Sequence, residues 1–299
     1  ALIQVVDAAG LTDIEGNPIA AVEDVESSLK EETTFLTTEL DSWIHSIMDD
    51  GWSRGSRRVQ AEGEKGLTSF LQERFTGLGA KLSHVLQALD GFRTQWGDLE
   101  TPWMWPEDRV HSLATYLRQQ LFPIHIAANK ADSAKGTPWN AIEANGIIQP
   151  TMADMELALR RADSGGMISY IPGNDTFTIT DESKLNPAQL NALSSMKDKL
   201  SEAGGTGVAA LLSRVLFGAL NHVVVYPVAD ENTWKDGEGR ILPDAFVVPN
   251  GMEAKSLAYK VHSDLGDGFI KAIDGRTRRV VGAEHECGDN DVIKIHAKS

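Results

Sequence analysis

The sequence predicts an α/β protein whose parallel sheet is interrupted by a long helical segment and followed by a small α+β module. Two short apolar runs, at 2–6 and 122–128, have the pattern of strands buried on both faces of a parallel sheet. Residues 9–121 lie between them, although parallel neighbours need a crossover of only about a dozen residues. From near Val223 onward, short strand-like runs surround one helical segment, as in a compact α+β module.

Composition limits the class of protein. Of 299 residues, 41% are hydrophobic and 24% are charged, which is ordinary globular usage and excludes a disordered chain. The net charge of −15 is opposite in sign to that of a general polyanion binder, so we expect no DNA partner, and RNA contact would need a local basic patch. The single cysteine, Cys287, allows no internal disulfide and predicts a reducing, cytoplasmic location.

Neither a membrane span nor a signal peptide is predicted. The most apolar stretch, 208–229, is interrupted by Arg214, Asn221 and His222, whereas a span needs about 20 mostly apolar residues. The first residues lack a basic region and a cleavage site. Because Ala1 leads directly into an apolar run, we expect the chain to be the later part of a longer protein.

The segment between the two strands carries helical periodicity. Apolar residues recur at spacings of three and four in two series, 22–47 and 67–89, and a polar, glycine-containing stretch at 51–55 joins them. Two such series predict an antiparallel, coiled-coil-like helical hairpin, with Gly77 and Gly79 interrupting the second. The tryptophan-rich stretch 96–105 either packs the base of this insert against the parent domain or forms a partner-binding surface.

Later elements are shorter. A strand is predicted at 147–148 and a helix at 153–162. In the last third we expect strands at 223–228, 245–249 and 292–296, with a helix at 254–261.

The clearest functional signal is Asn129-Lys130-Ala131-Asp132, directly after the second strand. Ligands of open α/β sheets bind beyond the carboxyl ends of strands, where this tetrapeptide is expected. It resembles the N-K-x-D guanine-specificity motif of GTPases. A carboxylate only accepts hydrogen bonds, and guanine presents two adjacent donors that Asp132 would take as a pair. Such a site can reject the wrong ligand by about 10⁴-fold. The alternative interpretation is a solvated turn.

Further segments strengthen this resemblance. They occur in the order D-A-A-G-L-T-D-x-E-G-N at 7–17, A-A-N-K-A-D at 127–132, Y-I-P-G at 170–173, G-G-T-G-V at 204–208 and V-Y-P-V at 225–228. Together they resemble the YchF/Obg-like family of translation-associated GTPases, in the branch that keeps N-K-x-D. The stretches L-P-D-A-F-V-V-P-N-G, H-S-D-L-G-D-G-F-I-K-A-I-D and G-D-N-D-V-I-K-I resemble a TGS domain, a ubiquitin-like β-grasp module.

The resemblance implies a domain organisation. Residues 1–15 and 122–220 would form a partial P-loop GTPase domain, 16–121 its helical insert, and 221–299 the TGS domain. It also implies GTP or GDP as ligand. Asn129 would tie neighbouring loops together, and the stem of Lys130 would cover the base. The backbone N–H of Ala153 would read guanine O6, with Met152 where the family usually has serine.

The phosphate-binding loop of such proteins has no counterpart in this sequence. G-x-x-x-x-G-K-[ST] does not occur, and the switch regions of the family would precede the first strand. Backbone amides of that loop hold the phosphates and its hydroxyl holds Mg²⁺. We therefore expect Mg²⁺ binding and GTP hydrolysis only in the intact protein, and no catalytic residue is assigned here. A metal site is not predicted either, because the histidines lack zinc-type spacing.

A basic cluster in the last third is a candidate RNA contact. It comprises Lys271, Arg276, Arg278 and Arg279. Because TGS modules are associated with RNA or ribosome contact, these side chains would meet RNA phosphates. Alternatively, the cluster is a charged turn paired with acidic residues at 267, 274 and 284. A second functional hypothesis is accordingly a nucleotide-independent module that docks on the ribosome or on RNA.

Overall fold

A computed structural model of the chain describes residues 1–13, 15–242 and 244–298. The chain divides into two compact units, Ala1–Leu211 and Leu212–Ser299. The boundaries predicted at 15, 121 and 220 remain an interpretation of the sequence.

The first unit is organised around a three-stranded parallel sheet. Its strands are β1 (Leu2–Asp7), β2 (Ile124–Asn129) and β3 (Ile148–Pro150), with β2 in the centre. β2 is buried along its length until Asn129, as predicted. The prediction that β1 is buried on both faces is wrong, because Ile3 and Val5 are 38% and 60% exposed. In the described residues β1 lies at the edge of the sheet, and only its other face packs against a helix.

The segment between β1 and β2 is helical, as predicted, but it contains more than two helices. These are α1 (Val25–Asp49), α2 (Trp52–Gly55), α3 (Val59–Glu62), α4 (Glu64–Phe75), α5 (Leu82–Trp96) and α6 (Glu107–Leu121). Asp24 begins α1 by accepting a hydrogen bond from the Ser27 N–H. The second apolar series is not one continuous helix, because Gly79 takes the left-handed conformation (φ 81°) between α4 and α5. α6 was not predicted.

The helical segment has its own apolar core, against which Trp96 and Trp105 of the tryptophan-rich stretch pack. The ring of Phe92 stacks with that of Trp105, with centroids 5.0 Å apart, and with that of Trp96, with centroids 6.2 Å apart. Arg109 places its guanidinium 4.4 Å from the Trp105 ring centre. These contacts favour packing over a partner-binding surface, but the rings pack within the helical segment rather than against the parent domain as predicted.

The remainder of the first unit follows β3. Its elements are α7 (Ala153–Ser164), β4 (Ile168–Ser169), β5 (Thr178–Ile179), α8 (Pro187–Ala203) and α9 (Val208–Ser213), which continues into the second unit. The start of α7 agrees with the sequence prediction. One apolar cluster joins α7, β4 and α8.

The second unit is a mixed sheet with a helix packed against it, as predicted. Its elements are β6 (His222–Val228), β7 (Phe246–Pro249), β8 (Met252–Glu253), α10 (Ala254–Val261), α11 (Ser263–Asp267), β9 (Phe269–Asp274), β10 (Arg279–Val281), β11 (Glu286–Cys287) and β12 (Asp291–Ala297). The five-stranded sheet has the order β10-β9-β12-β6-β7, and β12 is parallel to β6. Leu257 and Cys287 are buried in the core of this unit.

Candidate functional site

The predicted nucleotide loop begins where β2 ends. Asn129 is the last residue of β2 and pairs in register with Asp7, the last residue of β1. The next residue, Lys130, has a left-handed backbone (φ 59°), which costs a residue with a side chain on the order of 1 kcal/mol. Backbone strain of this kind collects at functional loops, where the surrounding structure enforces it. The loop therefore has the position and conformation expected of a ligand-binding segment.

Asn129 connects two loops through its side chain. Its Oδ1 accepts the backbone N–H of Ala153 at 3.0 Å and the hydroxyl of Thr151 at 3.3 Å. Ala153 is the first residue of α7, so the amide ties the end of β2 to the start of that helix. This is the linking role expected for Asn129. Because the Ala153 N–H already has an acceptor, a purine oxygen would have to share it or replace it.

Lys130 extends toward β1. Its Nζ donates to Asp7 Oδ2 at 2.8 Å and lies 3.4 Å from the Thr12 hydroxyl. Asp7 also accepts the backbone N–H groups of Ala9 and Leu11, each at 2.9 Å. Burial raises the pKa of Asp7, but the bonds from Lys130, Thr12 and the backbone outweigh burial and lower that pKa to about 2. Asp7 is therefore a fixed anion that orients Lys130.

Asp132 lies at the rim of a cavity. Its Oδ2 accepts a hydrogen bond from Lys199 Nζ of α8 at 3.1 Å. The cavity has a volume of about 540 Å³, and its lining includes Asp132, Met152, Trp139 and the glycines of the segment 204–207. Asn129, Lys130 and Ala153 lie outside this lining, so only part of the predicted site faces the cavity.

Met152 is held by its backbone and by apolar packing. Its N–H donates to the carbonyl oxygen of Thr206 at 2.8 Å, and its side chain is buried against the apolar cluster that includes Met155 and Leu159. A thioether cannot supply the hydroxyl contacts of a serine. The conformation of this segment therefore depends on contacts from outside it.

The basic cluster lies at the turn between β9 and β10. Asp274 accepts the backbone N–H groups of Arg276 and Thr277, so its carboxylate supports the turn rather than pairing with an arginine side chain. Arg276 donates from Nε to the Asn290 carbonyl at 2.7 Å and stacks 5.4 Å from the Trp234 ring centre.

The other members of the basic cluster make fewer side-chain contacts than Arg276. Arg278 and Arg279 are exposed, and Lys271 is half-buried in β9, opposite His296 of β12. Within the described residues, no ion pair joins the three arginines to Asp267, Asp274 or Glu284. The charged-turn interpretation therefore accounts for the shape of the turn but leaves its arginine charges unneutralised.

Comparison with known proteins identifies the family. The model described as "Obg-like GTPase YGR210-like, G4 motif-containing domain" matches residues 127–230, and the TGS domain model matches 238–297. A GTP-binding protein of Methanocaldococcus jannaschii is 41% identical over 301 residues, which cover 99% of this chain and 72% of that protein. The chain belongs to the Obg-like GTPase family.

Solved structures agree with this family. The Obg-like chain is similar to the crystal structure of a GTP-binding protein from Pyrococcus horikoshii OT3, with a TM-score of 0.69, 34% identity, and coverage of 99% of this chain and 78% of that one. The YchF GTPase of Schizosaccharomyces pombe shares the fold, with a TM-score of 0.51 and 12% identity over 99% of this chain and 72% of that one. No helix in the described part of this Obg-like protein is long and apolar enough to cross a membrane.

Three residues that contribute to the site were not predicted from the sequence. Asp7 could have been predicted, because it directly follows the first apolar run and β1 pairs with β2 in the sheet. Lys199 and Thr206 lie 67 and 50 residues from the groups they bond, Asp132 and Glu156. Thr206 belongs to the G-G-T-G-V segment, but that segment does not indicate which group its hydroxyl bonds, and nothing local identifies Lys199.

Proposed function

We propose that this Obg-like protein binds guanine nucleotide, with Asp132 selecting the base. The observation that carries the proposal is the link between the N-K-x-D loop and the start of α7 through Asn129 and the Ala153 N–H. Asn129, Lys130 and Asp132 supply the residue types that guanine recognition needs, at the carboxyl end of a buried parallel strand. Membership of a family of GTP-binding proteins supports the same ligand.

Each residue has a distinct task in the proposed site. The Asp132 carboxylate accepts guanine N1–H and the 2-amino group, while Lys199 keeps its bond to a remaining lone pair of Oδ2. Lys130, held by Asp7, lays its methylene stem along the base. Ala153 shares its N–H between Asn129 and guanine O6. No residue of this chain is assigned to the phosphates, to Mg²⁺ or to hydrolysis.

The experiment compares guanine with adenine nucleotides. Isothermal titration of the 299-residue chain with GDP should give a measurable Kd and far weaker binding of ADP, because adenine cannot donate two bonds to Asp132. Asp132→Asn should abolish the preference for GDP. The same variant should gain affinity for xanthosine diphosphate, because the asparagine amide can donate to the oxygen that xanthine carries in place of the 2-amino group.

A matched control uses a carboxylate outside the site. Asp198→Asn, at an exposed position of α8, makes the same charge change and should leave GDP binding unaltered. If wild-type protein binds GDP and ADP equally well, or if Asp132→Asn keeps the guanine preference, the proposal is wrong.

We also propose that the basic cluster contacts RNA, which would connect the protein to ribosomes and translation in the cytoplasm. The supporting observation is that the exposed charges of Arg278 and Arg279 have no acidic partner among the described residues. This role would not need bound nucleotide.

Salt dependence tests the RNA contact. The affinity of the chain for labelled transfer RNA should fall as the salt concentration rises. A plot of log K against log[salt] should have a negative slope of about 0.7–0.9 for each phosphate contact. Replacing Arg276, Arg278 and Arg279 with glutamine should lower both the affinity and the slope. Replacing Lys135, Lys184 and Lys197 of the first unit makes the same charge change as a control. If both triple variants lower the RNA affinity and the salt slope by the same amount, the effect comes from net charge and the cluster is not a specific RNA contact.

A further inference from the structure

A buried carboxylate lies behind the segment that precedes Ala153. Glu156, on the first turn of α7, is 4% exposed. Its Oε2 accepts the hydroxyls of Thr206 at 2.6 Å and Tyr170 at 2.9 Å, and its Oε1 accepts Arg160 Nε at 2.6 Å. A buried carboxylate without such partners would be strongly destabilising, so these bonds fix the position of each donor.

Thr206 joins this carboxylate to the Met152–Ala153 segment. It is 1% exposed, and while its hydroxyl bonds Glu156, its carbonyl oxygen accepts the N–H of Met152 at 2.8 Å. The neighbouring Gly207 lies directly against Pro150, since a Cβ at this glycine would overlap the Pro150 carbonyl oxygen. The segment that contains Thr206 is therefore in close contact with the chain on both sides of Thr151.

The side chain of Met152 does not hold the Met152–Ala153 segment in place by a hydrogen bond, so the segment needs support from other residues. The Met152 side chain is buried in the apolar cluster, and a thioether has no hydrogen to donate to its own loop. The bond from the Met152 N–H to Thr206 sets the direction of the next peptide, whose N–H belongs to Ala153. That N–H is the group assigned to guanine O6 and now bonded to Asn129.

We propose that Glu156 and Thr206 are positioning residues that orient the Met152–Ala153 segment for guanine. This inference rests on the proposed guanine binding. It assigns a role in nucleotide affinity to a buried carboxylate that is not assigned any contact with the ligand.

The experiment removes one hydroxyl and restores it. Thr206→Val keeps the shape of the side chain but loses the bond to Glu156, so GDP affinity should fall about tenfold, the equivalent of one hydrogen bond. Hydrogen exchange at the Met152 amide should accelerate in the same variant. Thr206→Ser keeps the hydroxyl and should restore both properties. Glu156→Gln, which weakens the bond by removing the charge, should change both in the same direction as Thr206→Val.

A matched control separates positioning from general stability. Thr33 is also buried, at 6% exposure, but its hydroxyl bonds the Leu29 carbonyl of its own helix. Thr33→Val should lower the melting temperature without weakening GDP binding. An equal loss of GDP affinity in both valine variants would overturn the positioning role.

The two proposals fail in different ways. If wild-type protein shows no guanine preference, the proposed function fails and the positioning role fails with it. If wild type prefers GDP and Thr206→Val binds it equally well, only the positioning role is overturned. Unchanged exchange at the Met152 amide in Thr206→Val would also overturn it.

Discussion

Asp7 accepts more hydrogen bonds than any other described carboxylate near the nucleotide loop. Lys130, Thr12 and two backbone N–H groups all donate to it. Its side chain is only 11% exposed, so solvent does little to weaken these bonds. The charge of Asp7 therefore contributes to the stability of the loop as well as to the orientation of Lys130.

Acid titration should expose this contribution. The pKa of Asp7 is lowered from 3.8 to about 2, so its stabilisation is fully present above pH 3.8 and is lost as the pH falls through 2. The amount is on the order of 2 kcal/mol. In Asp7→Asn the charge-dependent bonds are absent at every pH. Urea unfolding at pH 5, 3 and 2 should therefore show the stability gap between wild type and variant narrowing toward pH 2.

The exposed Asp198 provides the comparison for this titration. Asp198→Asn should follow the wild-type curve at all three values of pH. A gap between wild type and Asp7→Asn that stays constant down to pH 2 would contradict the assigned pKa.

At the residue scale, sequence patterns identified local groups and missed distant ones. Asn129, Lys130 and Asp132 were predicted because one tetrapeptide holds them and a buried strand precedes it. Lys199 and Thr206 reach the site from α8 and the segment beyond it, so their roles depend on tertiary packing. Glu156 lies on a predicted helix, but nothing in its sequence context distinguishes it from a solvated glutamate.

At the scale of elements, helical periodicity identified the insert but not its breaks. The apolar series 67–89 has helical spacing throughout, yet Gly79 turns the chain and lets α4 and α5 pack as separate helices. α6 was missed because the tryptophans and prolines before it dominate the pattern. β1 was predicted as fully buried because its residues are apolar, whereas burial also depends on which elements cover each face.

A glycine contact within the insert gives a test at this scale. Gly55 lies against the ring of Phe70, and an alanine Cβ there would overlap ring carbons. Gly55→Ala should destabilise the protein by about 1–3 kcal/mol through overpacking. Thermal unfolding followed by circular dichroism measures this change.

Gly77 serves as the matched site. A Cβ at Gly77 would meet no atom within 4 Å, and its backbone is not left-handed. Gly77→Ala should be neutral or stabilise by about 0.5 kcal/mol because it restricts the unfolded chain. If both variants lose the same stability, the Gly55–Phe70 contact is not the cause.

At the scale of the whole molecule, the two units have separate apolar cores. Cys287 belongs to the core of the second unit, where it is 1% exposed and burial raises the pKa of its thiol to about 11. The thiolate is the reactive form, so a thiol reagent at pH 8 should modify Cys287 only when this unit opens. Labelling therefore reports on one unit alone.

One substitution in the core of each unit tests whether the two units open independently of each other. Ile293→Val removes a methylene group from the second unit, costs about 1 kcal/mol, and should speed labelling about fivefold. Ile126→Val makes the same change beside β1 and should leave the labelling rate unchanged. Equal acceleration by both variants would show that the cores open together.

The uncovered face of β1 affects how the protein must be handled. Ile3 and Val5 expose aliphatic side chains on β1, which is an outer strand of the described sheet. Edge strands with exposed apolar side chains can pair with strands of other molecules, and such association increases with protein concentration. Light scattering across a dilution series should therefore accompany every titration, so that self-assembly is not mistaken for ligand binding.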